Sequence, residues 1–105
     1  MDLTGKWVWI TGASSGIGKA LAIAYAKTGC NLLLSARNEA KLDEVKALCA
    51  SAGQVQILPL DLSDISSSIS LAKPVLKDIG PIHTLINNAG ISQRAWGKDT
   101  ELSGV

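Results

Sequence analysis

Short apolar segments alternate with longer amphipathic segments along this chain. Residues 7–10 form a continuous apolar run, which is typical of a parallel strand buried on both faces. Beyond them, residues recur at helical spacing, and Gly29 follows the last turn as a C-terminal stop. The residues at that spacing are Ile17, Ala20, Leu21, Ala24 and Thr28. The beginning of the chain therefore predicts a strand, a turn and a helix.

Two further strand and helix pairs follow in the same order. Residues 32–34 predict the second strand, and Asn38 is placed to cap a helix that Gly53 ends. Residues 55–60 predict the third strand, and Ser63 is placed to cap the third helix. An apolar stripe at helical spacing marks each of the two helices.

The third helix contains a proline, and a fourth strand follows it. Pro74 should kink or split this helix, because proline has no N–H and its ring clashes with the preceding turn. Residues 84–86 predict the fourth strand, whereas residues 91–105 show no clear period. Each strand and helix unit spans roughly 25 to 30 residues, as a parallel crossover requires. The pattern therefore predicts an open α/β fold with a parallel sheet.

Size and composition narrow the class of protein. A chain of 105 residues has room for one domain, and an apolar content of 47% is ample for a packed core. A net charge of +1 gives no basic footprint for nucleic acid, and no apolar run approaches the roughly 18 residues of a membrane span. Cys30 and Cys49 stand among apolar residues and are expected in the core. We expect a cytoplasmic protein without a metal site.

A glycine-rich turn joins the first strand to the first helix. A pyrophosphate needs close backbone approach, unpaired N–H donors and the positive end of a helix dipole. Gly12 permits a tight turn, Gly16 lets the backbone approach phosphates, and Gly18 allows close packing of helix on strand. Ser14 and Ser15 add hydroxyl donors. The turn predicts a dinucleotide site, and a purely structural turn is the alternative.

Three motifs in order resemble the short-chain dehydrogenase/reductase family. They are TGASSGIG at residues 11–18, Asp61-Leu62 after the third strand, and NNAG at residues 87–90. The resemblance covers residues 6–94, and it implies a Rossmann-type doubly wound sheet with strand order 3-2-1-4, truncated after about four strands. The cofactor-binding residues that it implies are Gly12, Ser14, Ser15, Gly16, Ile17, Gly18, Arg37, Asp61, Leu62, Asn88, Ala89 and Gly90.

The resemblance also assigns parts of the cofactor to these residues. The family's residues matching Asp61 and Leu62 contact the adenine, although Asp61 could instead cap the next helix. Asn88 and the small residues Ala89 and Gly90 are expected to line the adenosine ribose. Asn87 is expected to tie neighbouring strands together. The second strand's end is where such sites distinguish NAD from NADP.

The residues at that strand end favour NADP(H), with NAD as the second choice. The family's acidic position falls on Ala36, and Arg37 follows it. A guanidinium forms bidentate hydrogen bonds with a phosphate, whereas a carboxylate would repel the 2′-phosphate. The first carboxylate after the second strand is that of Glu39. The alternative is that Arg37 is an ordinary solvated charge.

The family's catalytic residues are missing from this sequence. Hydride transfer in the family uses Ser, a Tyr with a Lys four residues later, and a supporting Asn. Tyr25 is the one tyrosine, and Gly29 stands four residues after it, so Tyr25 is expected to serve packing or to lie at the surface. The supporting Asn would fall beyond Val105. Residues 1–105 are therefore expected to be the cofactor-binding half of a longer enzyme, inactive alone.

The parent protein implied by the resemblance is an NADP-dependent oxidoreductase acting on a small carbonyl or alcohol substrate. The alternatives are a catalytically inactive nucleotide-binding module, a partner-binding fragment or a nonfunctional relic. The fourth strand would be an exposed apolar edge, so we expect a marginally stable chain that self-associates. His83 is expected in a loop or at a strand end, and Trp7 and Trp9 are expected to pack.

Overall fold

Four parallel strands and three helices alternate along the chain. The structure is a computed structural model that describes residues 2–88. The strands are β1 (Trp7–Thr11), β2 (Asn31–Ser35), β3 (Val55–Ile57) and β4 (Ile82–Asn87), and the helices are α1 (Gly16–Ala26), α2 (Glu39–Leu48) and α3 (Ile65–Ile79). The strands form one sheet in the order β3-β2-β1-β4. The predicted α/β class, the parallel sheet and the strand order are confirmed.

The central strands β1 and β2 are buried, which explains their apolar sequences. They pair in parallel register, with Trp7 opposite Asn31 and Thr11 opposite Ser35. Every residue of β2 is buried. Because successive side chains point to opposite faces of a sheet, a strand covered on both faces needs apolar residues at nearly every position.

Helices cover the two faces unequally. On one face, α1 and α2 pack on alternate residues of β1 and β2, including Val8, Ile10, Leu32 and Leu34. Both cysteines lie in this core as free thiols, as expected, and burial raises the pKa of the Cys49 thiol. The other face carries α3 alone among the described elements.

On that second face, a smaller cluster joins the sheet to α3. Trp7 and Leu33 pack there with Leu58, Leu60 and Ala72. Trp9 packs against the same cluster, so the packing role expected for both tryptophans is confirmed. Three large apolar side chains of α3 remain half exposed or more: Ile65 at 58%, Ile69 at 50% and Leu71 at 50%.

β1, β2 and β4 extend one or two residues beyond the predicted runs, whereas β3 and α2 end earlier than the sequence pattern predicts. β3 ends at Ile57 and not at residue 60, although the amides of Leu58 and Leu60 still donate to backbone carbonyls of the β2 side at 2.8 and 3.0 Å. α2 ends at Leu48, before Gly53, whose N–H donates to the Cys30 carbonyl at 2.9 Å. Gly53 is needed there because a Cβ would lie 2.5 Å from the Asn31 side-chain oxygen.

Helix α3 corrects two predictions. Its N-cap is Asp64, whose Oδ1 accepts from the Ser67 amide at 3.1 Å, so the prediction that Ser63 caps this helix is wrong. Of the kink or split predicted at Pro74, the split does not occur, since α3 is one helix from Ile65 to Ile79. Pro74 and Ser70, whose carbonyl loses its helical partner, are both exposed, so water can satisfy that carbonyl.

The asymmetry of the sheet leaves β4 at an edge. Within residues 2–88, β4 pairs with β1 and has no strand on its other side. His83 lies exposed in this strand. None of the helices in the described part of the chain is long and apolar enough to cross a membrane.

The two capping assignments for α3 predict different mutational effects. Asp64→Ala should lower the free energy of unfolding by about 1 kcal/mol, because an amide of the first turn loses its acceptor. Ser63→Ala is the matched control and should change it by less than about 0.5 kcal/mol, since its exposed hydroxyl bonds only to Asp61. Urea unfolding of both variants measures the difference. A larger loss in Ser63→Ala would return the cap to that residue.

Candidate functional site

The carboxyl ends of the four strands enclose a cavity of about 640 Å³. The turns after β1 and β2, the segment after β3 and the residue after β4 all contribute to it. Open α/β sheets bind ligands in the crevice outside the carboxyl ends of their strands. The lining residues are Gly12, Ser14, Ser15, Ser35, Ala36, Arg37, Asn38, Lys41, Leu60, Asp61, Leu62, Ser63 and Asn88.

The three glycines of the first turn have three different environments. Gly12 has a φ of 67°, in the left-handed region that favours glycine. Gly18 is buried against this turn: a Cβ on it would overlap the Gly12 carbonyl group and lie 2.9 Å from Asn88 Nδ2. Gly16 faces open space, where a Cβ would meet nothing within 4 Å. The close packing expected at Gly18 is present, whereas the phosphate contact expected at Gly16 stays a prediction.

The N-terminus of α1 is available to an anion. Ser15 is the N-cap, but its hydroxyl donates to the Gly12 carbonyl at 3.0 Å and accepts no hydrogen bond from the first turn of the helix. That turn also contains no acidic residue. The N–H groups and the positive end of the helix dipole are therefore not neutralised by the cap, as an oxyanion ligand would require.

Hydrogen bonds around Thr11 join β1 to β4 beside the glycine turn. Thr11 Oγ1 donates to Asn87 Oδ1 at 2.9 Å, which confirms that Asn87 ties the two strands together. The Asn88 amide donates to Thr11 Oγ1 at 3.1 Å, and Asn88 Nδ2 reaches the Gly12 carbonyl at 3.4 Å. The end of β4 is thus held to the turn that lines the cavity.

The other end of the cavity carries charge. Arg37 and Lys41 line it from the β2–α2 connection and the first turn of α2. Asn38 caps α2, as predicted, and its Oδ1 accepts from the Lys41 amide at 3.1 Å. Ala36 and Arg37 follow Ser35, the last residue of β2, so no carboxylate stands at the end of this strand.

Asp61 supplies the one carboxylate of the lining. Its Oδ1 accepts from the Ser63 amide at 3.0 Å and from the Ser63 hydroxyl at 2.6 Å. These bonds, with a smaller effect of the Arg37 charge, hold the pKa of the Asp61 carboxyl below its usual range. Asp61 does not cap α3, which was the alternative left open by the sequence, because Asp64 does.

The cavity contains some of the residues expected from the sequence and adds others. Gly12, Ser14, Ser15, Arg37, Asp61, Leu62 and Asn88 line it. Gly16, Ile17 and Gly18 are not among the lining residues, and the Ile17 side chain is 69% exposed. Ala89 and Gly90 lie outside the described residues.

Sequence reasoning missed Lys41 most clearly. Its signal was its position four residues after Arg37, with Asn38 capping the helix between them. Ser35, Asn38, Leu60 and Ser63 also line the cavity and were not assigned to the cofactor by the sequence. Trp9 holds the Ser35 side chain in place, because its Nε1 donates to Ser35 Oγ at 2.9 Å.

Neither Tyr25 nor His83 lies at this site. Tyr25 packs against the core beneath α1, as expected. His83 is in β4, where its Nδ1 and Thr84 Oγ1 are 2.7 Å apart. No cluster of three or more His, Cys, Asp or Glu side chains that could hold a metal ion occurs within residues 2–88.

The strand order and the site together define a Rossmann-type fold with a nucleotide-binding edge. The family model described as short chain dehydrogenase matches residues 6–103. The chain belongs to the short-chain dehydrogenase family. Its relatives are oxidoreductases, and the part matched here is their N-terminal, cofactor-binding region.

Individual relatives match across most of this chain. It is 45% identical to the human (Homo sapiens) dehydrogenase/reductase SDR family member 7, over 96% of this chain and 31% of that protein. The structure resembles NAD+-bound xylitol dehydrogenase, with a TM-score of 0.79 and 29% identity over 88% of this chain and 36% of that one. It also resembles an NADH-dependent reductase in complex with NAD, with a TM-score of 0.71 and 28% identity over 82% and 36% of the two chains. The chain thus spans about a third of the length of these proteins.

The contrast between Gly18 and Gly16 predicts opposite effects of the same substitution. Gly18→Ala should lower the free energy of unfolding by about 1–3 kcal/mol, because its methyl group overlaps the Gly12 carbonyl. Gly16→Ala should leave it unchanged or raise it by up to about 1 kcal/mol, because the methyl enters open space and alanine favours a helix. Chemical denaturation measures both variants. Equal losses would show that the helix does not pack closely on this turn.

Proposed function

We propose that this chain is the NADP(H)-binding segment of a short-chain dehydrogenase/reductase that transfers hydride between nicotinamide and a carbonyl or alcohol substrate. The observation that carries the proposal is the single cavity that joins the glycine turn to Arg37, with Ala36 in place of the acidic residue. Family membership supports the oxidoreductase class. The cofactor choice rests on the residues at the end of β2.

The residues of the cavity fit an extended dinucleotide. The pyrophosphate would lie at the uncapped N-terminus of α1, where the open space at Gly16 admits it and Ser14 and Ser15 offer hydroxyl groups. The adenine would lie against Asp61 and Leu62, with Asp61 accepting from its amino group. Asn88 lines the cavity, and the resemblance implies that it contacts the adenosine ribose together with Ala89 and Gly90, which lie outside the described residues.

Arg37 supports NADP over NAD. A guanidinium at the cavity wall offers paired donors to a 2′-phosphate, and no carboxylate at the end of β2 accepts the ribose hydroxyls that NAD presents there. Glu39 lies in the first turn of α2 but does not line the cavity. NAD remains the second choice, since two solved relatives bind it.

Hydride transfer itself requires residues beyond those of this sequence. A bound nicotinamide would donate hydride to a carbonyl carbon or accept it from an alcohol carbon, and the family's Tyr and Lys would give the proton to, or take it from, the substrate oxygen. The one tyrosine of this chain, Tyr25, is followed four residues later by Gly29 and packs in the core. We infer that residues 1–105 form one partial dinucleotide-binding domain that binds cofactor without turnover. A cytoplasmic location stays a prediction.

Self-association through β4 is a further part of the proposal. Within the described residues, β4 has a neighbouring strand on one side only, and a strand at the lateral edge of a sheet is a template for another strand. α3 also leaves large apolar side chains exposed. Two copies pairing through β4 would complete the backbone hydrogen bonds of that edge.

Arg37→Ala tests the cofactor assignment. It should weaken NADP binding by about tenfold to a hundredfold and NAD binding by less than about threefold, because only NADP loses a charge-assisted phosphate contact. Calorimetric titration of the 105-residue chain with each cofactor measures both. Lys27→Ala, which removes a positive charge beyond α1 and away from the cavity, is the control and should change neither. Equal losses for the two cofactors in Arg37→Ala would defeat the assignment.

His83→Lys tests the edge. A lysine on β4 should shift the chain toward the monomer, because pairing two copies would bring the added charges together. His83→Gln keeps a polar side chain without that charge and should associate like the parent. Sedimentation velocity over a range of concentrations measures both. A parent chain that stays monomeric would refute association through this edge.

A further inference from the structure

A second cation shares the Arg37 end of the cavity. Arg37 immediately precedes the N-cap Asn38, and Lys41 lies in the first turn of α2. The Lys41 backbone N–H donates a hydrogen bond to Asn38 Oδ1 at 3.1 Å, which fixes the backbone between Arg37 and Lys41. Both side chains line the same cavity, although they come from different turns of the backbone. Sequence reasoning assigned a role to Arg37 alone.

Arg37 alone does not supply enough positive charge to neutralise a phosphate group in this cavity. Arg37, Lys41 and Asp61 are the ionisable side chains of its lining, so its formal charge is +1. The Arg37 charge acts on the Asp61 carboxylate. A phosphate monoester carries about −1.5 to −2 charges at neutral pH, so an anion of that kind placed beside Arg37 needs a second cation.

Lys41 is free to supply that charge. Its ammonium group forms no ion pair within residues 2–88, and its side chain is exposed at the cavity wall. A lysine has a long flexible stem and three donors, so it can reach an oxygen that the planar guanidinium leaves open. Lys46, in the last turn of the same helix, does not line the cavity.

We propose that Lys41 makes a second contact to the 2′-phosphate and sets the preference for NADP over NAD together with Arg37. The proposal rests on the proposed function, because it assumes that the adenosine end of NADP occupies this cavity. Arg37 holds the phosphate by paired hydrogen bonds, and Lys41 adds a second positive charge for the phosphate, because the Arg37 charge also acts on Asp61. Loss of Lys41 should therefore affect only ligands with a 2′-phosphate.

Two small ligands isolate this contact. Adenosine 2′,5′-bisphosphate carries the 2′-phosphate, and adenosine 5′-monophosphate lacks it. Calorimetric titration of the 105-residue chain with each gives a ratio of dissociation constants that reports the 2′-phosphate alone. In Lys41→Gln, binding of the bisphosphate should weaken by about tenfold, and binding of the monophosphate should stay within about twofold.

Matched variants separate a specific contact from general attraction. Lys41→Arg keeps the charge and should keep most of the preference, whereas Lys41→Glu should lose more of it than Lys41→Gln. Lys46→Gln removes a positive charge from the same helix away from the cavity and should leave the ratio unchanged. Circular dichroism confirms that each variant is folded, and the exposed position of Lys41 favours this.

The other outcomes contradict either the role of Lys41 alone or the proposed function as well. A parent chain that prefers the bisphosphate, with the preference intact in Lys41→Gln, would overturn the role of Lys41 and leave the NADP assignment standing. Equal weakening of both ligands in Lys41→Gln would also overturn it, because the lysine would then act by general attraction. A parent chain that binds the two ligands equally, or binds neither, would overturn the proposed function and this inference together.

Discussion

The close approach of α1 to the end of β1 is the contact on which the site depends. Gly18 lies against the Gly12 carbonyl, and no larger residue fits between them. Asn88 also reaches this carbonyl, so the first helix, the turn and the end of β4 meet at one point. Because the helix begins there, its N–H groups, which the Ser15 side chain does not cap, follow directly after the turn residues Gly12, Ser14 and Ser15 that line the cavity. Moving the helix outward by the width of a methyl group would separate these parts.

Helices cover both faces of the sheet, which explains the apolar strands, but they cover the two faces unequally. The face under α1 and α2 has a continuous core, whereas the face under α3 has a smaller cluster around Trp7 and Leu33. Three large apolar side chains of α3 remain exposed, and β4 is the last strand of the sheet within residues 2–88. The sheet therefore has one face with a continuous core and one face with a smaller cluster, and residues of both, such as Ala36 and Leu60, line the cavity.

The sequence was sufficient wherever one local rule decides the outcome. The apolar runs located all four strands, and Asn38 was identified as a cap because its side chain needs only the first turn of its own helix. The assignment of Ser63 as a cap failed because Asp64 competes for the same role one residue later. The split expected at Pro74 does not occur, and the exposure of Ser70 and Pro74 lets water satisfy the carbonyl that loses its helical partner.

The sequence by itself determined the fold class, the family and the positions of Gly12, Arg37 and Asp61 at strand ends, since these follow from local periodicity and short motifs. Only the tertiary structure decided which residues share a cavity. Lys41 and Ser63 are separated by long stretches of chain, and they meet at one edge because parallel strands bring their carboxyl ends together. Hydrophobic spacing describes the face a residue takes within its own element. It carries no information on distances between elements, which packing sets.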